Sequence, residues 1–147
     1  MPLKILLVNG PNLNTLGTRE PAIYGRETLP DIEKNCRAAA KKLGLALDCY
    51  QSNHEGELVD KIQTAGKEYK GLLINAGAYT HTSIAIMDAL LSIKIPIIEV
   101  HMSNIFQRES FRHESYVSKA ARGIICGFGS NSYMLALSGM AELLKKK

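Results

Sequence analysis

Lys4-Ile5-Leu6-Leu7-Val8-Asn9, followed at once by Gly10-Pro11, is an unbroken apolar run set between one lysine and a polar turn. A strand with one wet face would alternate apolar with polar residues, so a run without polar positions suits a strand covered on both sides, as in a parallel sheet. Leu45 to Tyr50, Gly71 to Asn75, Pro96 to His101 and Gly123 to Cys126 are also mainly apolar, interrupted within by Asp48 and Glu99 alone. The segments between them carry helical period. Ile32, Cys36, Ala39, Ala40 and Leu43 share one stripe, with Thr28 as the N-cap, Pro30 near the start and Gly44 just past the end. Leu58, Ile62, Ala65 and Tyr69 repeat that spacing, Ile84 to Leu91 forms a compact third helix, and Tyr133, Leu137, Met140 and Leu144 mark the last. Asn104 to Lys119 is less periodic and reads as a loop followed by a short helix.

Strand and helix thus alternate along all 147 residues without a repeat, linker or change of composition. This pattern predicts one catalytic domain spanning 1–147, an α/β doubly wound five-stranded parallel sheet of flavodoxin-like order 2-1-3-4-5. A chain of this length can bury a core without disulfides or a structural metal. With 46% hydrophobic and 22% charged residues, its composition is ordinary for a globular protein, and its apolar runs are far too short to span a bilayer. The first ten residues do not form a signal peptide, so the expected location is the cytoplasm. Cys36, Cys49 and Cys126 are odd in number and widely spaced within apolar stretches, as buried free thiols would be. Much of the net charge of +4 comes from Lys145-Lys146-Lys147, a solvated tail more simply than a nucleic-acid footprint. An anionic small substrate is compatible with that charge.

Sheets of this kind bind ligands beyond the carboxyl ends of their strands. After the first strand, Asn9-Gly10-Pro11-Asn12-Leu13-Asn14 offers carboxamides on a tight turn, while Pro11 removes one of the N–H donors that a phosphate-cradling loop needs. Arg19 through Arg26 couples two arginines to Tyr24 in an aperiodic stretch suited to a lid, although a loop tyrosine is by itself more often a surface anchor. Asn75 through Ser83 is a polar loop opening into a helix, with Thr82 or Ser83 as N-cap. Glu99 and His101 stand two apart on the fourth strand, so extended backbone turns both to one face. A neighbouring carboxylate favours the imidazolium form and fits His101 to donate a proton; a strand-end histidine satisfied within the structure is the plainer alternative. Arg108 and Arg112 lie four apart, a spacing that suits either a solvated face or the holding of a carboxylate. The glycines of Cys126-Gly127-Phe128-Gly129-Ser130 favour close packing over anion binding. His54, His81, His101 and His113 show no metal-ligand spacing.

Taken together, these segments resemble the type II 3-dehydroquinate dehydratases along almost the whole chain. The matching stretches are Asn9 through Asn14, Arg19-Glu20-Pro21 with Tyr24-Gly25, Gln51 through Gly56, Asn75 through Ser83, Glu99-Val100-His101 with Ser103-Asn104, and Arg108 with Phe111-Arg112-His113. Ala76 stands where that family frequently has proline, and Ser110 and Ser132 also depart from its pattern. The resemblance implies reversible dehydration of 3-dehydroquinate to 3-dehydroshikimate, for aromatic biosynthesis or quinate breakdown, with no cofactor, metal or Schiff base. It implies that Tyr24, as tyrosinate, removes the proton beside the ketone while Arg19 stabilises its charged form. A phenol, with an ordinary pKa of about 10, needs such a neighbour to act as a base near neutrality. By the same resemblance Asn12 hydrogen-bonds the developing enolate through an ordered water, and His101, oriented by Glu99, protonates the departing hydroxyl. Asn75, His81, Met102, Ser103 and Arg112 would hold the substrate, Asp88 would reach it from a neighbouring subunit, and the assembly would be a dodecamer of four trimers. No nucleic acid or membrane is expected as a partner.

Two rivals share this fold. A receiver module needs an aspartate where this chain has Asn75, and a flavin module needs an anion-cradling loop where it has Pro11. A noncatalytic scaffold is a third reading, set against the presence of every catalytic side chain named above.

Overall fold

A computed structural model of the chain describes residues 1–18, 22 and 26–145. Arg19 and Tyr24 therefore lie outside the described residues, as does the segment read from sequence as a lid. Five strands, β1 (Leu3–Asn9), β2 (Leu45–Gln51), β3 (Gly71–Asn75), β4 (Ile97–His101) and β5 (Gly123–Cys126), form one parallel sheet in the order β2-β1-β3-β4-β5. Among the described residues four α-helices cover it: α1 (Leu29–Lys42), α2 (Glu55–Glu68), α3 (Ile84–Ser92) and α4 (Asn131–Lys145). The flavodoxin-like order expected from the sequence is the one observed.

The unbroken apolar character of β1 has a direct structural counterpart. Ile5 and Leu7 face one layer, with Leu29, Ile32, Cys36 and Ala40 of α1 and Tyr133, Ala136, Leu137 and Met140 of α4. Leu6 and Val8 face the other, with Leu58, Ile62 and Ala65 of α2 and Ile86, Ala89 and Leu90 of α3. All four β1 residues are inaccessible to solvent, so adjacent positions must all be apolar. Edge strand β5 is half-buried to exposed, and Ile124 faces solvent.

Helix α1 begins as its sequence indicates and with one addition. Thr28 Oγ1 accepts from Asp31 N at 3.2 Å, and Asp31 Oδ2 accepts from Thr28 N at 3.1 Å, a reciprocal cap that satisfies two end groups. Ser83, the second of the two expected N-caps for α3, accepts from Ile86 N. The stretch Asn104 to Lys119 differs from expectation. In place of a loop and one short helix it makes three separate 3₁₀ turns, Ile105–Gln107, Ser110–Arg112 and Val117–Lys119. Tertiary bonds such as Tyr116 N to Thr80 O hold these turns where local period cannot. The three cysteines are free, but only Cys36 is fully buried; Cys49 and Cys126 are half-buried. No helix among the described residues is long and apolar enough to cross a membrane.

The carboxyl ends of β1 and β3 are drawn together by Gly10. Its N–H donates to Asn75 O at 2.7 Å, and a Cβ at position 10 would stand 2.5 Å from the Ala76 carbonyl oxygen. Ala76 itself is buried, and its backbone closes on Gly10 without a proline ring. Gly10→Ala is expected to force the two loops apart and lower stability by about 1–3 kcal/mol, as overpacking of a close backbone contact does. Urea unfolding checks this, and an unchanged midpoint would mean that the loops separate freely.

Candidate active site

The loops after β1, β3 and β4 enclose a cleft of about 160 Å³ at the carboxyl edge of the sheet. Its walls include Asn12, Asn75, His81, His101, Met102, Ser103, Arg108 and Arg112, with Pro11, Leu13, Leu16 and Ile105 as apolar lining. Seven of the residues singled out from sequence thus meet in one place, beside Arg108. Glu99 stands directly behind His101. Asp88 does not line the cleft; it lies exposed on α3, on the face that also carries exposed Ile84 and Leu91.

The pair on β4 has the geometry that a two-residue spacing allows. His101 Nε2 donates to Glu99 Oε2 at 2.5 Å, which leaves Nδ1 as the ring nitrogen able to serve a ligand. Glu99 is fully buried, so its charge requires partners. Ser115 Oγ donates to Oε2 at 2.7 Å and Ser118 Oγ donates to Oε1. Burial pushes the Glu99 carboxyl up, but the hydrogen bonds from His101, Ser118 and Ser115 together outweigh it and hold the group below its ordinary value of 4.5. The two serines are functional neighbours that sequence reasoning missed. They lie 16 and 19 residues from Glu99 in the aperiodic stretch, where no spacing rule links them to the strand.

His81 stacks beside His101, with ring centroids 6.4 Å apart and planes 18° from parallel. Its Nδ1 bonds to the Glu114 carbonyl oxygen at 2.8 Å, and an acceptor there fixes a proton on Nδ1. Burial lowers its pKa from 6.5; the Glu114 bond opposes this, and the nearby His101 and Arg112 charges add to the lowering. At neutral pH the ring is therefore uncharged, with Nε2 an acceptor suited to a ligand hydroxyl. Arg112 Nε donates to Glu109 Oε1 at 2.9 Å, which anchors the guanidinium at the cleft wall, and Glu109 also stands 3.8 Å from Arg108 Nε.

Asn75 is held from behind. Its Nδ2 donates to the Tyr133 hydroxyl at 2.9 Å, that hydroxyl donates to Asn9 Oδ1 at 2.7 Å, and Asn75 Oδ1 accepts from Gly77 N at 3.2 Å. Tyr133 is wholly buried and burial raises its pKa, so it serves as a neutral relay of hydrogen bonds rather than a base. Sequence reading placed Tyr133 in the core stripe of α4, and nothing in that stripe signalled the hydroxyl's task. Ser132 has a local task too, its Oγ accepting from Phe128 N at 3.1 Å in the loop after β5. Gly127 and Gly129 in that loop have φ of 97° and 62°, a conformation glycine adopts readily; a Cβ would stand 3.3 Å from Asn104 Cβ at position 127, as close packing requires, and in open space at position 129.

Comparison with known proteins gives concordant results. The family model for dehydroquinase class II matches residues 3–141. A 3-dehydroquinate dehydratase of Prochlorococcus marinus is 61% identical over 142 residues, covering 97% of both chains. One from Dinoroseobacter shibae is 56% identical over 138 residues, or 94% of this chain and 92% of that one. The crystal structure of the type II dehydroquinase from Propionibacterium acnes superposes with a TM-score of 0.92 at 43% identity, covering 97% of this chain and 98% of that chain.

Because Glu99 has a lowered pKa, its ionised form adds stability above pH 4.5 that is lost as pH falls through the lower folded value. Removing a donor reduces that contribution. Ser118→Ala should therefore unfold earlier in urea than the unaltered chain at pH 7, and the two should converge as the pH drops through the Glu99 titration. A gap of equal size at both ends would mean that Ser118 stabilises by packing instead.

Proposed function

Because this chain belongs to the dehydroquinase class II family, we propose that it is a 3-dehydroquinate dehydratase, a hydro-lyase of the shikimate route that converts 3-dehydroquinate reversibly to 3-dehydroshikimate. The observation that carries the mechanism is the His101–Glu99 pair, hydrogen-bonded at 2.5 Å at the head of a cleft shared with Asn12, Asn75, His81, Ser103 and Arg112.

The substrate is a β-hydroxyketone, so the proton beside its ketone is acidic and loss of the β-hydroxyl follows from the enolate. Tyr24, as tyrosinate stabilised by Arg19, takes that proton. Electrons of the broken C–H bond move onto the ketone oxygen, and Asn12, through an ordered water, stabilises the enolate that forms. The enolate collapses to the enone as the C–O bond to the β-hydroxyl breaks. His101 supplies the proton that turns hydroxide into water, through Nδ1, because Nε2 is engaged by Glu99. Glu99 remains ionised and balances the imidazolium. Arg112 and the Met102–Ser103 segment receive the substrate carboxylate, Asn75 and neutral His81 its hydroxyls. Among the described residues no lysine lines the cleft, which favours an enolate over a Schiff base.

Asp88 acts on a neighbouring subunit's substrate. In support, it shares its exposed helix face with Ile84 and Leu91, which are 53% and 56% accessible and suit an interface. The assembly is a homododecamer of four trimers, and its location is the cytoplasm.

The test is the rise of conjugated-enone absorbance when metal-stripped, borohydride-treated protein meets 3-dehydroquinate. An undiminished rate is expected, and silence from untreated protein as well would remove the function. In the same assay Tyr24→Phe should lose turnover by about 10²-fold or more while substrate still binds. Unaltered turnover in that variant would remove Tyr24 as the base.

A further inference from the structure

Gln51-Ser52-Asn53 follows β2 and forms no part of the cleft wall, yet its two amide side chains converge on the loop that carries Asn12. Asn12 N donates to Asn53 Oδ1 at 2.9 Å across 41 positions of sequence. Gln51 Nε2 donates to the same Asn53 oxygen at 3.1 Å and to the Gly10 carbonyl at 3.1 Å. These orientations are not interchangeable. A backbone N–H can only donate, so Asn53 must present its oxygen to Asn12; Gln51 faces the Gly10 carbonyl and the Asn53 oxygen, with Asn14 Oδ1 farther off at 3.5 Å, so it must present its nitrogen. Asn53 is itself anchored through its main chain, where its carbonyl accepts from the Tyr79 hydroxyl at 2.9 Å.

The loop needs such a hold. Asn12 has φ 71° and ψ −6°, and it is the only non-glycine residue with positive φ among the described residues. Side-chain-bearing residues rarely adopt that region, although asparagine tolerates it better than most. The conformation lets Asn12 line the cleft while its N–H points away, toward Asn53. Without a partner for that N–H, the backbone would relax toward a more populated region and carry the carboxamide out of place.

We propose that Asn53 and Gln51 are positioning residues for the dehydration: an amide clamp that holds Asn12 in its left-handed conformation and so aims its carboxamide at the site of enolate charge. The inference rests on the reading of Asn12 as the enolate's hydrogen-bonding partner. It gives a task to a segment that touches neither substrate nor any titrating group of the mechanism.

The experiment compares steady-state turnover of 3-dehydroquinate by the unaltered chain, Asn53→Ala, Asn53→Asp, Asn12→Ala and the Asn12→Ala/Asn53→Ala double variant. The Asn53 side chain is exposed and its anchoring bond uses the main chain, so position 53 tolerates substitution without loss of fold. Asn53→Ala should lower kcat by about tenfold with KM changed less than about twofold, because the lost hydrogen bond matters most in the charged transition state. Asn53→Asp keeps an oxygen for both donors and should recover kcat to within about threefold. In the Asn12→Ala background, the second substitution should add less than about a twofold loss. Full turnover by Asn53→Ala, an equal loss in Asn53→Asp, or independent multiplying losses in the double variant would each overturn the clamp. If Asn12→Ala loses turnover and Asn53→Ala does not, the clamp falls while the role of Asn12 stands. If both turn over normally, the role of Asn12 falls and the clamp with it; a silent unaltered chain removes the dehydratase reading and the reaction that the clamp would serve.

Discussion

A carboxylate enclosed at the end of a central strand is the demand around which this site is arranged. Glu99 has no access to solvent, and an ionised group so placed would be strongly destabilising without partners. Three donors answer it, from His101 on its own strand and from Ser115 and Ser118 in the loop that returns toward β5. The same bonds do chemical work. They fix which imidazole nitrogen is engaged and, in the proposed reaction, keep a negative charge next to the ring that delivers the proton. Stability and the proposed catalysis are coupled here: the group that is hardest to bury is the one that would prepare the acid.

Around that pair, the strand ends are bound to one another rather than left as independent loops. Gly10 lies against the Ala76 backbone, Tyr133 links Asn9 to Asn75 through the interior, and Asn53 reaches across to Asn12. Asn75, His81, His101 and Arg112, which face the cleft, are each oriented by a side-chain bond made behind them, as precise placement of reacting groups requires. The backbone of Glu114 plays this part for His81, fixing its tautomer while burial keeps the ring neutral. Two neighbouring histidines, with ring centroids 6.4 Å apart, are thus held by different partners, one by the Glu99 carboxylate and the other by the Glu114 backbone.

Most of the sheet was legible in the sequence because burial on both faces leaves a continuous apolar run, as in Ile5-Leu6-Leu7-Val8 and Gly71-Leu72-Leu73-Ile74. The start of α1 was legible because a threonine cap and a nearby proline are local signals, whereas the reciprocal bond from Asp31 was not read. The stretch from Asn104 to Lys119 was legible only in part: a short helix does close it, as a 3₁₀ turn, but the two turns before it are set by contacts with distant elements and leave no local period. The site divides in the same way. Glu99 and His101 follow from strand period, and the cleft residues from their positions at strand ends together with the family resemblance. Ser115, Ser118, Tyr133 and Asn53 act through partners 16 to 124 residues away, and no spacing in one sequence encodes such a meeting.

In the proposed reaction His101 serves the substrate through Nδ1, while Glu99 holds Nε2. A crystal structure of the protein with a product-like cyclic hydroxy acid bound tests it most directly. The account predicts the ligand in the cleft between the β1 and β4 loops, its carboxylate on Arg112 and the Met102–Ser103 segment. His101 Nδ1 should then lie within about 3.2 Å of the oxygen, or ordered water, at the position of the departing hydroxyl. A ligand bound elsewhere, or one that faces Nε2 after the His101–Glu99 bond has broken, would contradict it.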